Sequence, residues 1–257
     1  SAYGNEGPEK DKLGFDFSAF WARSGIMSLI REETTLPLPQ RGGMGDHTAA
    51  LTLTTGVLAA LFEKGKTGKG QELSGSLLNT GLWTLGFDIQ RALVKGVNPP
   101  ADFRINRLPI FNDYQAKDGK RFLLTNTNID AYWPKVCRAI GREDLISDPR
   151  YQTSEQIKDK SRELVSIFEN IIATKTLQEW GRIFDANGVI WAAIQDLTEA
   201  IEDPQARING AFTTLDHPTV GAFETIDTPI KFHSGQVGAK GPAPELGQHT
   251  EEVLLER

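Results

Sequence analysis

Apolar and polar residues follow several rhythms along this chain, and one stretch departs from all of them. The sixteen residues from His47 to Phe62 contain no Asp, Glu, Lys or Arg. In a helix, Ala50, Leu51, Leu53, Val57, Leu58 and Leu61 would fall on every side. A helix that is apolar all round is expected inside a core, and this one is shorter than the roughly 20 apolar residues of a membrane span. Gln71 to Ser76, short and bounded by glycines, is predicted as a buried strand. Leu77 to Lys95 is predicted as one helix, with Leu78, Leu82, Leu85, Ile89 and Leu93 at helical spacing and Gly96 and Pro99-Pro100 as its stop.

After about residue 110 the rhythm becomes that of a smaller α+β unit. Phe111 to Ala116 and Lys120 to Asn126 flank Asp118-Gly119, a strong hairpin signal. Asp130 is placed to cap a helix with Trp133, Val136, Cys137 and Ile140 on one face and Gly141 at its end. Leu164, Ile167, Phe168 and Ile171 mark a second helix. Thr176-Leu177-Gln178-Glu179 reads as a capping box opening a third, with Leu177, Trp180, Ile183 and Phe184 inward and Gly188 as stop. Val189 to Ile194 is predicted as a buried strand. From Ala211 the pattern is extended, with turns at His217-Pro218 and Gly221. A Gly/Pro-rich run from Gly235 to Pro244 precedes a short helix from Thr250 to Leu255.

Composition narrows the chemistry. At 257 residues the chain has ample material for a core. A formal charge of −6 and a pI near 5.4, with charges interspersed, exclude nucleic acid as a general partner. The single cysteine, Cys137, sits at an apolar helical position and reads as core. With no signal-like or spanning segment, the chain fits a reducing cytoplasm and no membrane partner. His47, His217, His233 and His249 are far apart, without metal-binding spacing, so no metal is expected. Neither GxSxG nor a strand followed by GxGxxG occurs. Lys64-Gly65-Lys66-Thr67 is not a phosphate-binding loop: Ala60 stands where a glycine is needed, and the loop follows a helix instead of a strand.

That leaves Asp46, directly ahead of the apolar run, and the basic loop Lys64-Gly65-Lys66-Thr67-Gly68-Lys69-Gly70 behind it. A carboxylate in the first turn of a helix lies near free N–H groups and the positive end of the helix dipole, which favour its charged form. Position alone gives Asp46 only the role of a helix starter, because Asp is among the preferred capping residues. The surrounding motif gives it more. Gly45-Asp46, a helix of small residues reaching Ala59-Ala60-Leu61, Thr67-Gly68-Lys69-Gly70-Gln71 and a segment ending near Ser76-Leu77 together resemble the central signature of the class III coenzyme A transferases, the CaiB/BaiF type. Gly4 to Met27, with Gly7-Pro8, Gly14-Phe15-Asp16 and Ser24-Gly25-Ile26-Met27, resembles a second block of that family. Pro242 to Leu254, with Leu246-Gly247-Gln248-His249-Thr250, resembles its C-terminal tail. The blocks keep the family's order over almost the whole chain.

The resemblance implies an α/β protein: a Rossmann-like large domain with an inserted smaller α+β domain. Residues 1–105 would be a large-domain segment, 106–205 the small domain, and 206–257 the return to the large domain. Family members carry a further α/β segment upstream of the Gly4 block that supplies much of the CoA-binding surface, so the chain reads as the C-terminal portion of a member. The resemblance also implies an interlocked homodimer, or association with that N-terminal segment. Asp46 matches the family's nucleophile, with acyl-CoA and a carboxylic acid as substrates and CoA as a substrate, not a bound cofactor. Glu6, Gly45 and His47 are candidate pocket residues, and Lys64, Lys66 and Lys69 candidate contacts for CoA phosphates. The stretch matching the family's oxyanion-binding glycine loop, Arg104 to Pro109, contains no glycine.

Two rival readings belong beside this one. An α-methylacyl-CoA racemase shares the fold and the Asp but pairs it with a His in Gly-His-Asp, where this chain has Gly14-Phe15-Asp16. Without that His, proton exchange lacks one of its two bases. The other is a non-catalytic fragment or subunit. The Gly4 block most resembles members acting on 2-hydroxyacyl-CoA or aryl-lactate substrates.

Overall fold

The computed structural model describes residues 1–30, 36–38, 41–98, 107–235 and 237–256. The chain divides into two compact units: Ser1–Pro109 with Glu155–Val165, and Ile110–Ser154 with Ser166–Arg257. Pro99-Pro100 and Arg104 to Asn106 lie outside the described residues.

The first unit opens with a π-helical turn, Asp16–Ala22, followed by α1 (Ile26–Leu29), α2 (Met44–Thr67), α3 (Leu77–Thr84) and α4 (Gly86–Lys95). Its core is small. Phe20, Trp21 and Ile26 are buried, with Met27, Ile30, Leu77 and Leu85 packed against them. The rings of Phe20 and Trp21 meet edge to face at 5.4 Å. α3 seats on the π-helical turn through Gly81, where an added Cβ would lie 2.7 Å from Ser24 Cβ and 2.8 Å from the Phe20 carbonyl. Ser76 caps α3, its hydroxyl accepting from Asn79 N–H at 3.1 Å.

Three expectations fail in this unit. α2 is a helix, but of its residues only Gly45 is buried, and Leu51, Val57, Leu58, Leu61 and Phe62 are 47–68% exposed. Its 24 residues extend about 36 Å at the α-helical rise. Its main neighbours, the π-helical turn and α3, are too short to cover that length. Gln71 to Ser76 is extended but forms no strand, and Gln71 to Ser74 are exposed. A strand needs a ladder, and among the described residues only the chain's first two run beside its end: Ser1 N donates to Gly75 O, and just beyond the segment Leu77 N–H donates to Ser1 O and Leu78 N–H to Ala2 O. The helix expected from Leu77 to Lys95 is broken at Leu85, whose ψ of 18° leaves the α region just before Gly86, a poor helix former.

In the second unit, β1 (Asp113–Gln115), β2 (Arg121–Leu124) and β3 (Trp191–Ala193) form an antiparallel sheet in the order β1-β2-β3. Tyr114 pairs with Phe122, and Phe122 with Ala193. The expected hairpin turn is present, with Gly119 at φ +80°. Between β2 and β3 in the sequence come α5 (Ile129–Ala139), α6 (Asp144–Ser147), α7 (Ser154–Asp159), α8 (Ser161–Ile172) and α9 (Leu177–Asn187); of these, α7 from Glu155 and α8 as far as Val165 group with the first unit. The core is aromatic: Trp133 stacks on Phe168 at 6.1 Å, Trp180 on Phe184 at 5.4 Å, and Phe122 packs on Phe184 at 5.2 Å. Trp180 Nε1 donates to the Ile172 carbonyl at 2.8 Å, so the polar atom of this buried ring is paired. The Thr176/Glu179 capping box and the Gly188 stop of α9 form as predicted.

Two details differ. Asn128, not Asp130, caps α5, its side chain accepting from Ala131 N–H at 3.0 Å, because the backbone is still extended at Asn128 and already helical at Asp130. The strand expected from Val189 to Ile194 shortens to β3 at the sheet edge, leaving Ile190 and Ile194 45% and 49% exposed. Then follow α10 (Leu197–Ile201), α11 (Pro204–Ile208), the hairpin of β4 (Phe212–His217) and β5 (Gly221–Ile226), and α12 (Thr250–Leu255). The whole is mixed α/β with small sheets. No described helix is long and apolar enough to cross a membrane.

Candidate active site

Asp46 stands in the first turn of α2, and the start of that helix is fixed by a contact from far back in the sequence. Gly43, at φ +88°, is the residue on which the chain turns into α2. Its N–H donates to Asp16 Oδ2 at 2.7 Å. The same oxygen accepts from Trp21 Nε1 at 3.2 Å, and Asp16 is only 5% exposed. Within the first turn of α2, a Cβ on Gly45 would run into the Asp16 carboxylate and the Phe20 ring. Gly45 therefore lets the helix lie directly on the π-helical turn.

That placement aims Asp46 into a cleft of about 470 Å³ within the first unit. Ala49, Ala50 and Leu53 of α2 form one wall, and Leu73 to Leu77 with Thr80 the other. Thr52 and Gly56 of α2 with Ser1, Ala2 and Gly14 complete the described lining, and Asp46 is the sole acidic or basic side chain among these residues. Asp46 is exposed, and among the described residues its carboxylate has no hydrogen-bond or salt-bridge partner. The helix hydroxyls nearby are turned inward: Thr48, Thr52, Thr54 and Thr55 each donate to a carbonyl four residues back. Thr80 donates to Ser76 O at 2.8 Å. The cleft is thus a mostly apolar slot with one charge-bearing group free to react.

A family model described as CoA-transferase family III matches residues 1–250. The chain belongs to that family. It is 33% identical over 252 residues to the (R)-2-hydroxy-4-methylpentanoate CoA-transferase of Clostridioides difficile, spanning 98% of this chain and 63% of the relative. It is 32% identical over 259 residues to the cinnamoyl-CoA:phenyllactate CoA-transferase of Clostridium sporogenes, spanning 100% of this chain and 63% of the relative. The chain therefore spans under two thirds of the length of these curated relatives. A solved CAIB/BAIF family protein from Brucella suis shares the fold, with a TM-score of 0.81 at 22% identity over 100% of this chain and 66% of its own.

The other predicted positions in this CoA-transferase family III chain are scattered. Gly45 is buried on the face of α2 that meets the π-helical turn, and His47 is exposed beside Asp46, outside the cleft lining. Successive residues on a helix do not face each other. Glu6 is exposed on a turn and also outside the lining. Lys64 and Lys66 occupy the last turn of α2 and Lys69 lies just past it. Lys64 is thus about 27 Å from Asp46 along the helix axis. Lys66 Nζ rests over the Phe62 ring at 4.4 Å. Cys137 is fully buried, and burial pushes its thiol up to about 12, which suits packing and not chemistry. The residue that sequence reading overlooked is Asp16. Its signal was present: a lone acid inside Phe15-Asp16-Phe17-Ser18-Ala19-Phe20-Trp21, where a buried carboxylate must find donors.

Proposed function

We propose that the complete protein transfers CoA from an acyl-CoA to a free carboxylic acid, with Asp46 as the covalent nucleophile. The reading rests on one observation above all: an exposed carboxylate with no partner among the described residues, in a slot otherwise free of charged side chains. The Asp46 carboxylate attacks the thioester carbonyl, giving a mixed anhydride and CoA thiolate. The thiolate attacks the Asp46 carbonyl of that anhydride, forming an aspartyl-CoA thioester and releasing the first acid. The incoming carboxylate attacks this thioester to form a second anhydride, and the thiolate then attacks its acyl carbonyl, yielding the new acyl-CoA and free Asp46. Covalent catalysis of this kind divides one hard exchange into easier steps. Phe15, where racemases of this fold have a histidine, is 80% exposed and offers no second base.

The substrate class we assign is 2-hydroxyacyl or aryl-lactate, after the named activities of the two relatives above. The apolar slot suits such a side chain. Lys64, Lys66 and Lys69 are assigned to CoA phosphates, which requires CoA to lie extended along α2, and Glu6 and His47 to the substrate side. Residues 1–105 and 206–257 are assigned to one Rossmann-like domain interrupted by 106–205. Assembly is proposed as an interlocked homodimer, or as association with a further N-terminal segment, in the cytoplasm. The test is to trap the intermediate. Complete enzyme given acyl-CoA and then hydroxylamine should carry a hydroxamate on the peptide containing Asp46, located by mass spectrometry. Label on another residue, or full turnover by Asp46→Asn, would overturn the assignment.

A further inference from the structure

We propose that Asp16 is a positioning residue for the transfer reaction, holding the first turn of α2 so that the Asp46 carboxylate faces the cleft; this rests on the reading of Asp46 as nucleophile. Three observations converge. Asp16 is 5% exposed, and its Oδ2 accepts both Gly43 N–H at 2.7 Å and Trp21 Nε1 at 3.2 Å. Gly43 sits at φ +88°, so the chain enters α2 through a joint that has no side chain of its own to fix its direction. Gly45, two residues later, touches the same carboxylate and the Phe20 ring so closely that no Cβ fits. A group that holds this joint is thus anchored in the π-helical turn, and π-type turns are often found at functional sites.

The division of labour within the carboxylate is specific. Oδ2 takes both donors, while Oδ1 is buried with no hydrogen-bond partner. A role in positioning requires an acceptor at Oδ2 and nothing from Oδ1. Asparagine can supply the acceptor with its carbonyl oxygen, turning its amide into the place of Oδ1. Alanine cannot. General loss of stability would lower the amount of active enzyme, and with it apparent kcat and the amplitude of trapping, but would leave the first-order trapping rate constant unchanged, so that rate constant is the readout that separates the two. Misplacing a reacting group by about 1 Å costs on the order of 10²-fold in rate.

The experiment uses the complete enzyme and compares Asp16→Asn, Asp16→Ala and Gly45→Ala with Asp46→Ala as reference. Steady-state kcat and KM for acyl-CoA, and the rate of hydroxylamine-trapped acyl-enzyme formation, are measured alongside the thermal melt. Asp16→Ala should lower kcat and the trapping rate about 100-fold with KM changed less than about threefold, and Asp16→Asn should keep both rates within about fivefold. Gly45→Ala, which pushes a methyl into the Asp16 carboxylate, should show the same loss of kcat, and carries the test should Asp16→Ala not fold. An Asp16→Ala enzyme within twofold of wild type, or an Asn variant as impaired as Ala, would refute the proposal. Full activity in Asp46→Ala would instead remove the reading of the nucleophile, leaving the two failures distinct.

Discussion

Helices α2 and α9 are both rich in apolar residues, yet they are used in opposite ways. α9 concentrates Trp180 and Phe184 on one stripe, and both are buried in the aromatic core of the second unit. α2 spreads Leu51, Leu53, Val57, Leu58, Leu61 and Phe62 around its circumference, and all are more than 40% exposed. A stripe can be satisfied by one neighbouring surface, whereas a helix apolar all round needs cover on every side. Within the described residues α2 is fully buried only at Gly45 in its first turn, which meets Asp16 and Phe20, with partial cover beyond it where Leu53 and Gly56 face Gly75 and Leu73. The buried end is also the end that carries Asp46. The fully buried large aromatics therefore lie in the second unit, and the candidate chemistry at the anchored first turn of a largely uncovered helix.

This contrast can be tested from its largest expected effect downwards. Asp46→Ala should lower turnover by ~10⁴ or more, while the melt stays that of the parent because the side chain is exposed and makes no bond with a described residue. A large loss of stability there would show that α2 is more tightly held than its surroundings indicate. Phe184→Ala should destabilise by about 3–5 kcal/mol in urea titration, since the ring is fully buried against Phe122, Trp180 and Trp191. Next comes the cap: Thr176→Ala should cost about 1 kcal/mol.

The same cap adds a pH dependence. The Thr176 N–H and hydroxyl hold the Glu179 carboxyl below its usual 4.5. Its contribution to stability is therefore complete above pH 4.5 and disappears as the pH falls through the lowered folded value. Glu179→Gln should flatten that acid limb in melts recorded from pH 7 to 3. The smallest effect is expected on α2 itself. Leu58→Gln should change the stability of this chain by less than about 0.5 kcal/mol, as for ordinary surface positions. If it costs as much as Phe184→Ala, α2 is covered in the working protein and the contrast between the two helices disappears.

Much of the second unit was legible because its signals are local. The Asp118-Gly119 turn and the Thr176/Glu179 box each act over three or four residues, and both formed where their residues stand. The first-turn place of Asp46 on α2 was legible for the same reason, as an acid directly before an apolar run, in a chain that the family match covers over residues 1–250. The failures came where a distant group had to be present. Gln71 to Ser76 had strand-like residues but no neighbouring strand to pair with among the described residues. The choice of Asn128 over Asp130 as cap depended on where the backbone bent, and both are acceptable residues for the task.

The sequence by itself determined the hairpin, the Thr176/Glu179 cap and most of the periodic helices of the second unit, because these depend on neighbours a few bonds away along the chain. Tertiary structure alone decided which apolar helix is covered and how α2 is aimed. Burial depends on what surfaces lie nearby in space, which the apolar pattern of α2 does not encode. The bond from Gly43 N–H to Asp16 joins residues 27 positions apart, and no periodicity or motif could have paired them before the chain folded.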